Sequence, residues 1–147
     1  MDDEFFIKYL ELIQKIIERM ARNSFQIKAW TATLFAAIIV LTYSIINILI
    51  FIVLIFTICM FWALDSYYLR QEKLFRELYN AKVKEFNENA KNVNQPYSMR
   101  VDSYKKDEDS TLRIMFSISE FLYYIAFLIT IIVFLIVYLT INWQILV

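Results

Sequence analysis

Histidine and glycine are both absent from this 147-residue sequence, and cysteine and proline occur once each, as Cys59 and Pro96. Without histidine there is no imidazole for acid/base catalysis or metal ligation. A single cysteine excludes an internal disulfide and a thiolate metal cluster, and a chain without glycine cannot form a glycine-rich phosphate-binding loop. No nucleophile with an accompanying base is recognisable. We therefore expect neither an enzyme nor a protein with a metal or a cofactor.

Apolar residues are abundant instead, at 60% of the chain, and 18% of all residues are aromatic. Two long segments contain almost no charge: Ala29 to Leu64 has none, and Ile114 to Val147 has only Glu120. Each exceeds the roughly 20 residues that a helix needs to cross about 30 Å of hydrocarbon. The sequence therefore predicts an all-α, helical integral membrane protein in contact with the lipid bilayer.

The distribution of basic residues predicts how often the chain crosses. Ala29 to Leu64 would be about 54 Å long as one helix, so we place a tight hairpin at "TYSIIN", Thr42 to Asn47, where polar side chains gather. A hairpin also puts all 15 Lys and Arg on one side, which the positive-inside rule makes the cytoplasm. We expect three transmembrane helices in the inner membrane, with the N-terminus inside and the C-terminus outside. The alternative is a C-terminal segment that only dips into the membrane.

Outside the spans, the first 22 residues have apolar side chains at helical spacing, and residues 1–28 carry five charges of each sign. This amphipathic helix could pack on other cytoplasmic helices or lie in the membrane interface. Asn23 and Gln26 have capping-box spacing and predict a new helix after a short break. The expected segments are a cytoplasmic helix (1–22), a transmembrane hairpin (24–64), a helix continuous with the second span (65–90), a polar loop (91–112) and a C-terminal transmembrane helix (113–147).

The stretch "FWALDSYYLRQEKLFRELYN", residues 61 to 80, passes from apolar to charged with no helix breaker. One helical stripe of it alternates aromatic rings with Asp65 and Glu72, whose carboxylates we expect to pair with Arg70, Arg76 or the first helix. An unbroken helix can transmit displacement between the cytoplasm and the membrane. Farther on, the polar loop offers Tyr97, Met99, Val101 and Tyr104 as docking points. Charges between Asp65 and Arg113 nearly cancel, so nothing suggests nucleic-acid binding.

Three blocks together resemble a family of small bacterial multi-span membrane proteins: "RMARNSFQIKAW", then "FWALDSYYLRQEKLFRELYN", then "PYSMRVDSY" leading into "FSISEFLYY". Such proteins are similar to membrane effectors of anti-phage and conflict gene clusters. The resemblance implies a pore-forming or membrane-disrupting effector that a soluble partner or signal releases. The residues that carry it, as coupling or assembly positions, are Asn23, Ser24, Lys28, Trp30, Trp62, Asp65, Tyr68, Arg70, Glu72, Arg76 and Tyr79. This chain departs from the pattern in having almost no external hairpin loop and no recognisable ligand-binding domain.

Two functions remain open from the sequence. A homo-oligomeric effector or ion channel needs self-association, because two or three spans cannot enclose a water-filled path. A non-conducting anchor or assembly subunit would instead recruit a soluble partner through its cytoplasmic helices. A polar stripe on a span distinguishes the two, since a pore needs one and an anchor does not.

Glu120 is the best candidate for such a stripe, because Ser117 and Tyr124 share its helical face. A carboxylate facing lipid is costly, so Glu120 should face protein or water. One possibility is that these three residues face the cytoplasmic mouth of a cation-conducting pore. The other is that Glu120 lies in the headgroup layer or pairs with a basic residue of a neighbouring helix.

Overall fold

A computed structural model describes residues 3–42, 47–88, 98–101, 104 and 110–146. These form four α-helices: α1 (Asp3–Thr42), α2 (Ile48–Glu88), α3 (Thr111–Met115) and α4 (Ile118–Leu146). The described residues contain no β-strand, so the all-α prediction is confirmed. Three of the helices, α1, α2 and α4, are long and apolar enough to cross a membrane.

The first two helices form a long antiparallel hairpin. Phe6 near the start of α1 stacks on Phe86 near the end of α2, with ring centroids 4.3 Å apart, and Ser24 farther along α1 contacts Asp65 earlier in α2. With 40 and 41 residues, each helix is about 60 Å long, roughly twice the hydrocarbon thickness. The predicted break is confirmed in position, because α1 ends at Thr42 and α2 begins at Ile48. The turn residues 43–46 lie outside the described residues.

Helix α1 is continuous through Asn23, so the predicted break after residue 22 is wrong. The spacing of Asn23 and Gln26 does not distinguish a helix start from a helix interior, because residues three apart are neighbours both in a capping box and inside a helix. The buried face of α1 continues from Ile17 through Ser24 to Ile27, and all of it packs inward. Packing of one continuous face stabilises a single helix more than a local cap favours a start.

The hairpin has two apolar cores. We call the first the bundle core: it forms where α4 packs on the hairpin and consists of Ile27, Phe51, Leu54, Ile58, Phe61, Trp62, Tyr124 and Ile131. We call the second the stalk core: it joins the first half of α1 to the second half of α2 and consists of Phe6, Tyr9, Ile13, Ile17 and Leu78. The expectation that the N-terminal helix packs on the extension of the second span is therefore confirmed.

Part of the predicted polar loop docks on this stalk. Val101 and Tyr104 pack against the stalk core, as expected from the sequence, while Met99 is exposed and Tyr97 lies outside the described residues. The Tyr9 hydroxyl donates a hydrogen bond of 2.6 Å to the carbonyl oxygen of Ser98. Burial raises the pKa of Tyr9 to about 12, and the nearby Tyr104 and Glu85 add to the effect. The Tyr9 phenol is therefore a neutral donor at physiological pH.

The C-terminal helix begins later than predicted, at Ile118 rather than residue 113. Residues 111–115 form the separate helix α3, whose N-cap is Ser110: its Oγ accepts from the Arg113 amide at 3.2 Å. Phe116 and Ser117 separate α3 from α4. Trp62 Nε1 donates to the Met115 carbonyl oxygen at 3.0 Å, so the bend between the two helices is tied to α2.

Replacing Ile13 and Ile17 together with lysine should disrupt the stalk, because both side chains are almost fully buried and neither new ammonium would have a buried counter-charge. We expect a lower melting temperature and faster proteolysis of residues 3–22 in detergent. The matched control is Ile7→Lys with Leu12→Lys, since both side chains are more than half exposed. Equal stability of the two double variants would contradict the packing of α1 on α2.

Candidate functional site: a buried ion cluster between three helices

Five polar side chains meet where the stalk joins the bundle. Ser24 and Lys28 come from α1, Asp65 from α2, and Glu120 and Tyr124 from α4. We call this group the junction cluster. Asp65 and Tyr124 are 0% exposed and Glu120 is 4% exposed, although each lies on a helix long and apolar enough to cross a membrane. Burial of this kind requires that the charges be paired and hydrogen-bonded.

Asp65 accepts hydrogen bonds from two neighbouring helices. Ser24 Oγ donates to Asp65 Oδ1 at 2.5 Å, while Lys28 Nζ and Tyr124 Oη donate to Asp65 Oδ2 at 2.6 and 2.9 Å. Ser24 and Lys28 lie four residues apart on α1, so they share one face and reach the same carboxylate. Both carboxylate oxygens of Asp65 are therefore satisfied, and this residue links α1 to α4 through α2.

Lys28 joins the two acids of the cluster. Its Nζ lies 3.0 Å from Glu120 Oε1, in addition to its contact with Asp65, and it donates to Ser24 Oγ at 3.3 Å. The Lys28 side chain is 24% exposed, which makes it the most accessible of the three charged side chains. One ammonium thus forms ion pairs with α2 and α4 simultaneously.

Glu120 is less completely satisfied than Asp65. Its Oε1 pairs with Lys28, but its Oε2 is buried and has no hydrogen-bond partner among the residues that the structure describes. The expectation that Glu120 faces protein or water rather than lipid is confirmed, and its partner is a basic residue of a neighbouring helix of the same chain.

Aromatic and hydroxyl groups surround the cluster and fix its geometry. Trp62 stacks on Tyr124 with ring centroids 5.6 Å apart and an interplanar angle of 15°. Tyr123 Oη donates to the Lys28 carbonyl oxygen at 2.7 Å, which adds a second polar contact between α4 and α1. Thr31 is buried beside them and donates to the Ile27 carbonyl oxygen. These contacts hold the rings and the helix backbones in place around the ions.

Three of the coupling residues predicted from sequence, Ser24, Lys28 and Asp65, belong to the junction cluster, and a fourth, Trp62, packs on its Tyr124. The others lie outside the cluster. Trp30 is 59% exposed and Asn23 is half-buried on α1, while Tyr68 packs on the bundle core. Farther along α2, Arg70 is half-buried, Glu72 pairs with Arg76 at 2.8 Å as expected, and Tyr79 packs on the stalk core. The predicted set therefore extends from the junction along the stalk.

Sequence analysis missed the roles of Thr31, Ser66 and Tyr123. Thr31 and Ser66 donate to carbonyl oxygens four residues earlier in their own helices, so each is a buried hydroxyl satisfied locally. Nothing in the sequence distinguishes them from other threonines and serines of the spans. Tyr123 is different, because it adjoins the polar strip at the start of α4, and that position was a usable signal.

The residues suggested to face a pore lie differently within one chain. Glu120 and Tyr124 are buried between the helices, and Ser117 is half-buried in the bend before α4. In this arrangement Glu120 and Tyr124 are not on the outer surface, where a second copy could join them in lining a channel. Their predicted role in a pore therefore requires that α4 move away from the hairpin.

Two clefts lie outside the cluster. A cleft of about 300 Å³ in the apolar part of the bundle is lined by Phe35, Phe51, Ile131 and neighbouring aliphatic side chains. A polar cleft of about 320 Å³ lies in the stalk, between Gln14 and Glu18 of α1 and Arg76, Tyr79 and Asn80 of α2. Across the described part of the chain, no group of three or more His, Cys, Asp or Glu side chains could hold a metal ion. The arrangement supports helix-to-helix coupling more directly than it supports catalysis.

No protein-family model, curated protein or solved structure matches this chain. The resemblance to small bacterial membrane effectors stays a hypothesis. Function is therefore inferred from the geometry of the junction cluster and of the helices that meet there.

Lys28→Met should destabilise the bundle by about 3–5 kcal/mol, the usual effect of removing one partner from a buried ion pair. The matched control is Lys8→Met, whose ion pair with Glu4 is exposed and should contribute at most about 1 kcal/mol. Denaturation in mixed micelles, followed by tryptophan fluorescence, measures both losses of stability. If the two variants lost the same stability, Lys28 would not join the three helices as its distances indicate.

Proposed function

We propose that this protein is a membrane-embedded coupling subunit of a homo-oligomeric effector in a prokaryotic anti-phage defence system. A soluble sensor or signalling partner acts on the stalk, and the two long helices carry the resulting displacement into the membrane. The single observation behind this proposal is that α1 and α2 pass unbroken from stalk to bundle and are joined there, with α4, by the junction cluster. The defence context rests on the sequence resemblance.

Continuity of the helices is what makes coupling physically reasonable. The stalk core fixes α1 against α2 at one end and the bundle core does so at the other, so the hairpin moves as a stiff unit. A displacement at the stalk reaches α4 through the ion pairs of Lys28 with Asp65 and Glu120. A flexible joint between stalk and bundle would absorb that displacement instead.

The outer surface of the spans favours an anchor over an open channel. The exposed threonines of the described spans, Thr33, Thr57, Thr130 and Thr140, each donate to a carbonyl oxygen of their own helix. The large exposed side chains between them are apolar. A polar stripe suited to a pore is therefore lacking on the described outer faces, and lipid or another copy of the chain can cover them.

A pore-forming effector is the second candidate, favoured by the position of the buried charges. If α4 separated from the hairpin, Lys28, Asp65 and Glu120 would be exposed within the bundle and could line a path between several copies. Self-association has a suitable surface on α1, where Ala29, Ala32, Thr33 and Ala36 are exposed small side chains that permit close helix approach.

The proposed location is the inner membrane, with the stalk in the cytoplasm and the C-terminus outside. The basic residues support this orientation, because the described ones, from Lys8 to Lys28 and from Arg70 to Arg113, lie toward the stalk end of the apolar bundle. The stalk is then available to a soluble partner.

Insertion of Gly-Gly-Ser after Arg70 should abolish phage protection while leaving membrane insertion intact, because it uncouples stalk from bundle. The same insertion after residue 92, beyond Glu88 at the end of α2, is the control and should retain protection. The assay is plating efficiency of phage on cells that express the chain with its neighbouring genes. Full protection by the variant with the insertion after Arg70 would contradict coupling. If the wild-type chain, expressed with its neighbouring genes, gave no protection, a defence role would be contradicted.

Ion flux through proteoliposomes separates the two candidates. A coupling anchor should not raise flux above empty liposomes, with or without the partner. Ion flux that depends on oligomer formation would favour the pore. In that case Glu120→Gln should lower the flux without changing the mass of the oligomer in detergent.

Orientation is tested independently by labelling of single cysteines in a Cys59→Ala background. A cysteine at Leu12, whose side chain is exposed, should be labelled by an impermeant maleimide only after permeabilisation, and one appended after Val147 should be labelled in intact cells. Labelling of both in intact cells, or of neither, would contradict three spans with a cytoplasmic stalk.

A further inference from the structure

The junction cluster contains more negative than positive charge. Two carboxylates, Asp65 and Glu120, converge on the single ammonium of Lys28. If both acids were ionised, one negative charge would have no counter-charge, at a place where the two acids are 0% and 4% exposed. An uncompensated buried charge is strongly unfavourable, so a further positive charge is needed there.

One atom marks where that charge is missing. Asp65 accepts hydrogen bonds at both of its oxygens, from Ser24 at Oδ1 and from Lys28 and Tyr124 at Oδ2. Glu120 Oε2 is buried and has no partner among the described residues. Buried carboxylate oxygens in folded proteins are nearly always hydrogen-bonded or neutralised. The unsatisfied site is therefore on Glu120.

We propose that the junction cluster is a proton-binding site, in which Glu120 holds one exchangeable proton while Asp65 remains the carboxylate paired with Lys28. The titratable groups that face Glu120 are Lys28 on α1, Asp65 on α2, and Tyr123 and Tyr124 on α4 itself. This inference does not depend on the proposed coupling function.

A proton fits the site better than a metal cation does. The Lys28 ammonium already lies 3.0 Å from Glu120 Oε1, so a second cation would meet a like charge at short range. A metal such as calcium also needs several oxygen ligands, whereas the two acids of the described cluster are already engaged by Lys28 and the hydroxyls of Ser24 and Tyr124 donate to Asp65. A proton supplies one positive charge and needs no coordination shell.

Protons can reach the site beside Lys28. Its side chain is 24% exposed, whereas those of Asp65 and Glu120 are 0% and 5% exposed. Exchange therefore takes place beside Lys28, the most accessible of the three charged side chains. Because the extra proton neutralises the assembled cluster, raising the pH removes it and weakens the attachment of α4 to the hairpin.

Infrared difference spectroscopy tests the proposal on the whole protein in detergent or lipid. Wild type should show the carbonyl band of a protonated buried carboxyl group, and the band should disappear as pH rises. Glu120→Gln should lack the band because the group is gone. Asp65→Asn should lack it too, since a single carboxylate then balances Lys28. Glu72→Gln, a carboxylate of the stalk paired with Arg76, is the control and should keep the wild-type band.

Thermal stability gives a second measurement. The melting temperature of wild type should fall over the same pH range in which the infrared band disappears. The melting temperature of Glu120→Gln should not fall over that range. The proposal is overturned if wild type shows no titrating band over the pH range in which it is folded, if Glu120→Gln keeps the band, or if Asp65→Asn keeps it. A melting temperature that depends on sodium or potassium at fixed pH would identify a metal cation instead. If a variant does not fold, the wild-type titration alone decides.

Discussion

The ammonium of Lys28 is the point on which the arrangement of the three long helices depends. It contacts Asp65 of α2 and Glu120 of α4 from its own position on α1. The part of α4 that follows Tyr124 contacts the hairpin mainly through apolar side chains, such as Phe127 against Phe35 and Tyr138 against Phe51. In lipid, such contacts discriminate weakly between registers because the acyl chains are equally apolar. Polar contacts in the first two turns of α4 therefore fix its position along the hairpin.

Different forces stabilise the two ends of the hairpin. The stalk core buries side chains such as Ile13 and Leu78 away from water, so the hydrophobic effect acts there in its ordinary form. Within the bundle, close packing and polar contacts have to replace the hydrophobic effect. The junction cluster lies between the part stabilised by the hydrophobic effect and the part stabilised by packing and polar contacts. That position explains why ions, hydroxyls and aromatic rings are concentrated there.

Periodicity and hydrophobicity within single helices predicted much of the fold. They gave the three apolar helices and the packing of α1 on the extension of α2. They could not give the partners of Lys28, Asp65 and Glu120, because spacing within a helix does not say which helix faces it or in which register. Glu120 alone suggested a pore, the membrane surface, or a basic partner that the sequence does not identify. The late start of α4 was missed because the bend at Phe116 and Ser117 has no proline, glycine or charge to mark it.

The geometry of the cluster also restricts how α4 can move. Ile118, Phe121 and Leu122 are exposed on the faces of α4 that flank Glu120. Rotation of α4 by one residue would bring Phe121 or Ser119, neither of which carries a charge, toward Lys28 and turn Glu120 outward. An ionised carboxylate in lipid costs about 2.5–3.5 kcal/mol at the centre of a span on insertion scales, and less near the interface. Sliding or tilting of α4 instead keeps Glu120 directed toward α1 while it lengthens the contact with Lys28. Motion that separates α4 from the hairpin is thus resisted by the Lys28–Glu120 contact together with the hydrogen bonds of Tyr123 and Tyr124. The strength of the Lys28–Glu120 contact depends on the charge state of the cluster.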